Sequence, residues 1–170
     1  MSDISLLSKD QVFALINSSN PGIVLTEENV TLGEPVAATG IDPERNTELV
    51  ITGIPGQGYK NFTTVLYDRI DLAEFQSQIP SEIQVEGDIS IQSILDGFNH
   101  FYGSQLTLED VRSDLALPGN LTSKASEFTL IAAAGSYAYR GQAVISIQAA
   151  DRDLEEAVAK KVLTGLTLSL

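Results

Sequence analysis

Apolar residues Val12, Phe13 and Ile16 sit at i, i+1 and i+4 among polar neighbours, and Ile94, Leu95 and Phe98 repeat that spacing further along the chain. Such a stripe covers a core on one side of an amphipathic helix, so a helix is predicted at each place. Asn17 and Asn99 follow at matching positions. The first helix also carries a start signal, Ser8-Lys9-Asp10-Gln11, with the form of a capping box. Beyond the helices, the runs Glu48 to Ile54 and Glu127 to Ala133 are rich in β-branched and apolar residues. Each leads through a Gly-bearing turn to a second such run, Thr63 to Tyr67 and Ala143 to Ile147, so each pair reads as a β-hairpin. Asn61 and Gly141 hold equivalent places in the two turns, as suits a position of positive φ.

The pairs fall in one order, which makes the chain read as a duplication. "GIVLTEENV" (22–30) and "GSQLTLEDV" (103–111) share Gly, Leu-Thr, Glu, Asn/Asp and Val at the same spacing. Thr107-x-x-Asp110 has the form of a capping box, and Thr26-x-x-Asn29 is a weaker version. After the hairpins, Asp71-Leu72 faces Asp153-Leu154, opening the helical stretches "DLAEFQSQ" and "DLEEAVAKKVL", and the short segments "SEIQVEG" and "GLTLSL" follow. Asp in the first turn favours a helix start through the free amides and the dipole. The expectation is an α+β fold of two tandem, related units, residues 1–87 and 88–170, each running helix, capped turn, β-hairpin, helix, strand. A unit of this size buries a thin core alone, so the two are expected to pack as one compact body sharing a core, around a pseudo-two-fold axis or against neighbouring subunits. The irregular stretches Leu32 to Asn46 and Arg112 to Ser126 correspond in position and are the expected partner surfaces.

Charge and composition narrow the chemistry. With 10 Lys+Arg against 23 Asp+Glu the formal net charge is -13, so the surface repels a polyanion and nucleic acid is not an expected partner. No cysteine is present, which removes disulfides, thiolate metal sites and thiol nucleophiles. The N-terminal "MSDISLLSKDQ" lacks a basic n-region, and no run of about 18 apolar residues occurs, so neither export by a signal peptide nor a membrane span is expected. Asn-x-Ser/Thr matches at Asn17, Asn29, Asn61 and Asn120 carry little weight without a secretory signal.

His100 is the only histidine and lies in "FNHFY", where a partly buried packing role is expected rather than that of a base. Neither G-x-S-x-G nor H-E-x-x-H occurs, and one histidine cannot build a multi-histidine metal site. "GIPGQGYKN" clusters glycines ahead of Lys60, but a phosphate loop needs Gly-Lys-Ser/Thr opening a helix, and a strand follows here. Glu27-Glu28, Glu109-Asp110 and Glu155-Glu156 lack the alternating-oxygen spacing of a calcium loop and read as solvated faces. Tyr59, Tyr67, Tyr102, Tyr137 and Tyr139 read as cross-strand or interface aromatics. No catalytic, cofactor-binding or metal-binding residue is assigned, and no cofactor.

The segments "NTELVITGIPGQGYKNFTTVLYDRIDL", "FNHFYGSQLTLEDV" and "FTLIAAAGSYAYRGQAVISI" resemble structural proteins of the virions of tailed bacteriophages, particularly the large contractile-tailed ones. The resemblance implies a particle component without saying which, and it carries no functional residues over. Together with the duplicated unit, the missing catalytic residues and the long matched loops, it leads to the expectation of a non-enzymatic protein made in the host cytoplasm and located in the virion, with other virion proteins and copies of itself as partners. The acidic charge favours an outer position: a capsid decoration or clamp, a neck or collar ring, or a tail or baseplate component. The alternative class is a small binding module that recognises a glycan, ligand or host receptor through its Tyr-bearing turns.

Overall fold

The first apolar stripe folds as predicted: in the computed structural model, which describes residues 4–39, 45–76, 82–119 and 125–150, Ser8–Ser19 form helix α1. Its buried side is Val12, Phe13 and Ile16, joined by Ser8 and Gln11. The capping box expected at Ser8 does not form, and α1 starts after Leu7 with no side-chain cap. Ser8 Oγ instead accepts the Ala138 N–H (2.8 Å), and the Gln11 amide donates to the Leu6 carbonyl (2.9 Å) and the Tyr139 hydroxyl (3.1 Å). Bonds to a distant part of the chain replace the local ones that the pattern suggests. The equivalent helix, Ile91–Tyr102, buries Ile94, Leu95 and Phe98. It is capped by a reciprocal box between Ser90 and Ser93, which the sequence reading did not single out.

The strands build two main sheets. In the first, β3 (Thr47–Gly53) is central, with β1 (Val30–Leu32) and β2 (Val36–Ala37) on one edge and β4 (Phe62–Tyr67) on the other, all antiparallel. After β4 come β5 (Ile70–Asp71), a single helical turn α2 (Ala73–Gln76) and β6 (Ile83–Val85), and then the helix Ile91–Tyr102, α3. The second sheet pairs β7 (Ser126–Ile131) antiparallel with β9 (Gln142–Ala149), and β6 joins the other edge of β9 in parallel. A short parallel pair links β5 to β8 (Tyr139–Arg140). The second helical stretch, 153–163, and "GLTLSL" lie outside the described residues, as do 40–44 and 120–124 of the two long loops.

Local geometry recurs at the aligned positions. Asn17 clamps Leu25, donating to its carbonyl (3.0 Å) and accepting its N–H (2.8 Å), and Asn99 does the same to Leu106 (2.8 Å each). Next, Asn29 Oδ1 accepts the Thr26 N–H (2.9 Å) and Asp110 Oδ2 the Thr107 N–H (3.0 Å). These turns lead into extended chain and not into helices: Val30 pairs with Gly53, and Val111 bridges Ala132. The hairpins share one register, Thr47↔Tyr67 to Thr52↔Phe62 in one and Ser126↔Ile147 to Ile131↔Gln142 in the other. Asn61 (φ 65°) and Gly141 (φ 73°) both take the left-handed conformation expected of them, and Asn61 is the one non-glycine to do so among the described residues.

The buried apolar residues divide into two clusters, where the sequence suggests one shared core. Val12, Phe13, Ile16, Leu25, Val30, Leu49, Ile51 and Tyr67 form the first. The second gathers α3 and β6 to β9 together with Leu72 and Phe75. Residues 70–76 and 83–85, placed by the repeat in the first unit, therefore complete the core of the second. They do so because Leu72, Phe75, Ile83 and Val85 find apolar cover there. Helix α3 lies so close on β6 that a Cβ on Gly97 would run into the Gln84 carbonyl and stand 2.9 Å from Ile83 Cγ2. Gly97→Ala is expected to cost about 1–3 kcal/mol in urea unfolding through overpacking against backbone. Asn17→Ala and Asn99→Ala are each expected to cost about 1–3 kcal/mol, because each strips a bonded N–H and C=O at once.

Candidate functional site

The seam between the two clusters is polar. Arg69 reaches across it, its guanidinium donating to Thr47 Oγ1 (3.1 Å) and to the carbonyls of Ala134 (3.0 Å) and Ser136 (3.1 Å). The Tyr67 hydroxyl donates to the Tyr137 carbonyl (2.6 Å), beside the Ser8 and Gln11 bonds already described. Asn46 holds the approach: its N–H donates to Asp68 (2.8 Å) and its side chain brackets the Arg69 backbone. The Asn46 N–H, with Arg45 beside it, keeps the Asp68 carboxyl below its ordinary range.

A cleft of about 370 Å³ opens along this seam, lined among others by Lys9, Asp10, Glu27, Glu109 and Tyr137. Lys9 pairs with Glu27 (2.8 Å), which raises the lysine pKa, and stands 5.8 Å from the centre of the Tyr137 ring. The floor contains Asp110, which the sequence reads as part of a solvated face but which is buried. Its carboxylate accepts Ser136 Oγ (2.7 Å), Thr107 N–H and Thr107 Oγ1 (3.0 Å each), so burial is compensated by bonds that tie the turn to the second hairpin. Among the described residues no group of three or more His, Asp or Glu is placed to hold a metal ion, and no helix is long and apolar enough to cross a membrane.

His100 is exposed, in place of the part-buried packing role expected of it. It opens onto a groove of about 440 Å³ between α3 and β6, with Gln84, Glu86, Ser93 and Asp96. Its helix turns its apolar side to the core through Ile94, Leu95 and Phe98, which leaves position 100 on the solvent side. Of the paired carboxylates, Glu27, Glu28 and Glu109 are exposed as expected, and Glu155-Glu156 lie outside the described residues. All five tyrosines are at least partly buried: Tyr67 and Tyr139 fully, Tyr59, Tyr102 and Tyr137 in part. Tyr102 packs edge-on against Phe75 at 5.0 Å and donates to the Phe75 carbonyl (3.2 Å).

The largest unexplained exposure is on the outer face of the first sheet. Phe62 is 73% exposed, and Val36, Val50 and Leu66 stand exposed on the same sheet. The register sets Phe62 opposite Thr52 and Leu66 opposite Glu48, which in turn pairs with Val36, so these side chains share one face. The matching face of the second sheet carries Glu127, Thr129 and Gln142 along with Val144. The long loops named by the sequence contribute less: β2 brings Val36 from the first, and Arg112 pairs with Asp114 in the second. Sequence reasoning missed this face because Phe62 and Leu66 read simply as strand residues, and only the pairing register shows which side they take.

Residues 1–169 match the model of a family described as "Family of unknown function (DUF7941)", and the chain belongs to that family. No curated protein and no solved structure matches the chain.

The seam has an alkaline signature. Burial raises both the Tyr67 and the Tyr139 phenol above the ordinary value of 10.0. A group raised on folding contributes stability in full below its unfolded pKa and loses that contribution as pH climbs towards the folded value. Stability is therefore expected to fall above about pH 10. In an ultraviolet titration the two buried phenols should ionise together with unfolding, and Tyr67→Phe or Tyr139→Phe should each remove one phenol's amplitude from that late step.

Proposed function

We propose that this member of the DUF7941 family is a structural subunit of a tailed-phage particle, held at an outer position and working by shape rather than by catalysis. The observation that carries the reading is the apolar row on the first sheet, Val36, Val50, Phe62 and Leu66. A sheet face of this kind in an acidic chain suits burial against a neighbouring subunit. The likeness of the hairpin and helix segments to phage virion proteins supplies the setting. The net charge of -13 favours placement away from packaged DNA. Other virion proteins and further copies of the chain are the partners in this reading.

We infer as well that the two units descend from one duplicated module. Supporting this are the paired Asn clamps, the paired Thr-x-x-Asn/Asp turns, the common hairpin register and the shared positive φ at Asn61 and Gly141.

Mass spectrometry of purified particles, with heads and tails separated, is expected to find the chain in one fraction. Its absence from both would reject the assignment. Phe62→Asp is expected to leave the urea midpoint within about 0.5 kcal/mol of the parent, as an exposed substitution should, while sharply reducing the copies recovered in particles.

A further inference from the structure

The outer edge of the second hairpin is covered along much of its length by residues 70–76 and by β6. Ile70 N–H donates to the Ala138 carbonyl (2.8 Å), Leu72 N–H to that of Arg140 (2.9 Å) and the Gln76 side chain to that of Val144 (2.7 Å). Strand β6 then pairs with β9, and the Ala150 N–H closes on the Val85 carbonyl (2.9 Å). The same segment seals the inner face with Leu72 and Phe75, leaving Ala143 and Ile145 buried, and Asp71 sets its charge 3.5 Å from Arg140.

Among the described residues the first hairpin presents the same edge uncovered. The Asn61 carbonyl accepts the Gly53 N–H (2.8 Å), so odd-numbered residues of β4 bond to β3, and Phe62, Thr64 and Leu66 turn their backbone groups outward. Among the described residues nothing pairs with that side. The inner face is open to match: Thr63, aligned with Ala143, is exposed, and Val65, aligned with Ile145, is only partly buried. Lys60, aligned with Arg140, is exposed as well.

Among the described residues the contacts across the seam also run one way. Ser8, Gln11, Tyr67 and Arg69 of the first unit all reach the turn 134–139 of the second. Among the described residues the counterparts of Ser8, Gln11 and Tyr67 do not return the contact: Ser90 and Ser93 bond to each other, Ile147 is buried in its own core, and the turn Pro55 to Gly58 is exposed; Arg152, the counterpart of Arg69, lies outside the described residues. A two-fold interlock would use each contact twice. A one-way interlock leaves one open donor end and one open acceptor end.

We propose that the chain associates head to tail with further copies of itself, residues 151–170 of one copy crossing onto the open edge of β4 in the next. Residues 151–170 lie outside the described residues, and their sequence carries what the crossing requires. Asp153-Leu154 aligns with Asp71-Leu72, which sets Asp153 against Lys60 as Asp71 is set against Arg140. Leu166-Thr167-Leu168 alternates as Ile83-Gln84-Val85 does, and the segment is at least as long as 70–85. Backbone bonds to a free sheet edge give the affinity, and the alternating apolar residues give the register. Such association closes a ring or extends a filament according to the rotation between copies. It stands independently of the particle assignment.

The chain has no cysteine, so introduced thiols report single contacts. One population carries Lys60→Cys and a second Asp153→Cys, matching the register partners Arg140 and Asp71. Oxidising the mixture is expected to give covalent dimers containing one of each at several times the yield from either population alone, and the double variant a ladder. An internal disulfide in a dilute monomeric double variant would overturn the proposal by returning the segment to its own chain. So would a yield no higher than that of a control with Asp96→Cys in place of Lys60→Cys. In the otherwise unaltered chain, Thr64→Pro removes an outward N–H and is expected to raise the association midpoint about tenfold in sedimentation; unchanged association in a folded variant would count against the edge. Mixed dimers formed by a chain missing from purified particles would leave this proposal standing and remove the particle assignment.

Discussion

The second half of the molecule depends on the covering of β8 and β9 by residues 70–76 and β6. An uncovered strand edge leaves a row of backbone donors and acceptors without partners inside the protein. Here β5 meets the row on β8, and the Gln76 side chain and β6 meet the row on β9. The same segment delivers Phe75, whose ring stands 5.2 Å from Phe98 and 5.0 Å from Tyr102, so it closes the sheet edge and fills the core together. The position of α3 follows from it, because α3 lies on β6 and needs Gly97 to come that close.

Between the cores the forces change character. Burial of apolar surface is non-directional and would tolerate many relative placements of the two clusters. The seam is set instead by bonds with fixed geometry: Arg69 to two carbonyls, Tyr67 to Tyr137, Gln11 to Tyr139 and Ser8 to Ala138. Asp110 belongs to the same system, since its partner Ser136 also accepts the Tyr139 N–H (3.2 Å). A buried polar network that is satisfied specifies one arrangement where packing alone would allow several.

The elements that depend on local periodicity were legible in the sequence. Val12, Phe13 and Ile16 mark α1, Ile94, Leu95 and Phe98 mark α3, and the β-branched runs mark both hairpins to within about two residues, the usual margin for strand ends. The left-handed turn position was legible too, because Asn61 and Gly141 are residues that tolerate it. What escaped is long-range. "SEIQVEG" alternates as a strand should, but alternation does not say which sheet edge a strand joins, and β6 crosses to the other unit. Ser8 and Gln11 look like a local cap, and their bonds are taken by residues about 130 positions away. Asp110 looks like one half of a surface pair until the turn folds it inward. The exposed face of the first sheet was illegible for the same reason, since the register decides which side Phe62 takes.

The division into two cores also orders the history of each newly made chain. The buried members of the first cluster all lie within residues 12 to 67, with Tyr137 packed against them from outside that range. The buried members of the second span 72 to 147, and its half joins β5 to β8 and β6 to β9 across long stretches of sequence. During synthesis the first can close once Tyr67 has left the ribosome. Leu72, Phe75, Ile83 and Val85 can pack on α3 earlier, but they must wait for β9 before their cover is complete. That interval is when nascent copies are most exposed to mispairing, and crowded synthesis on neighbouring ribosomes bears most heavily on this segment.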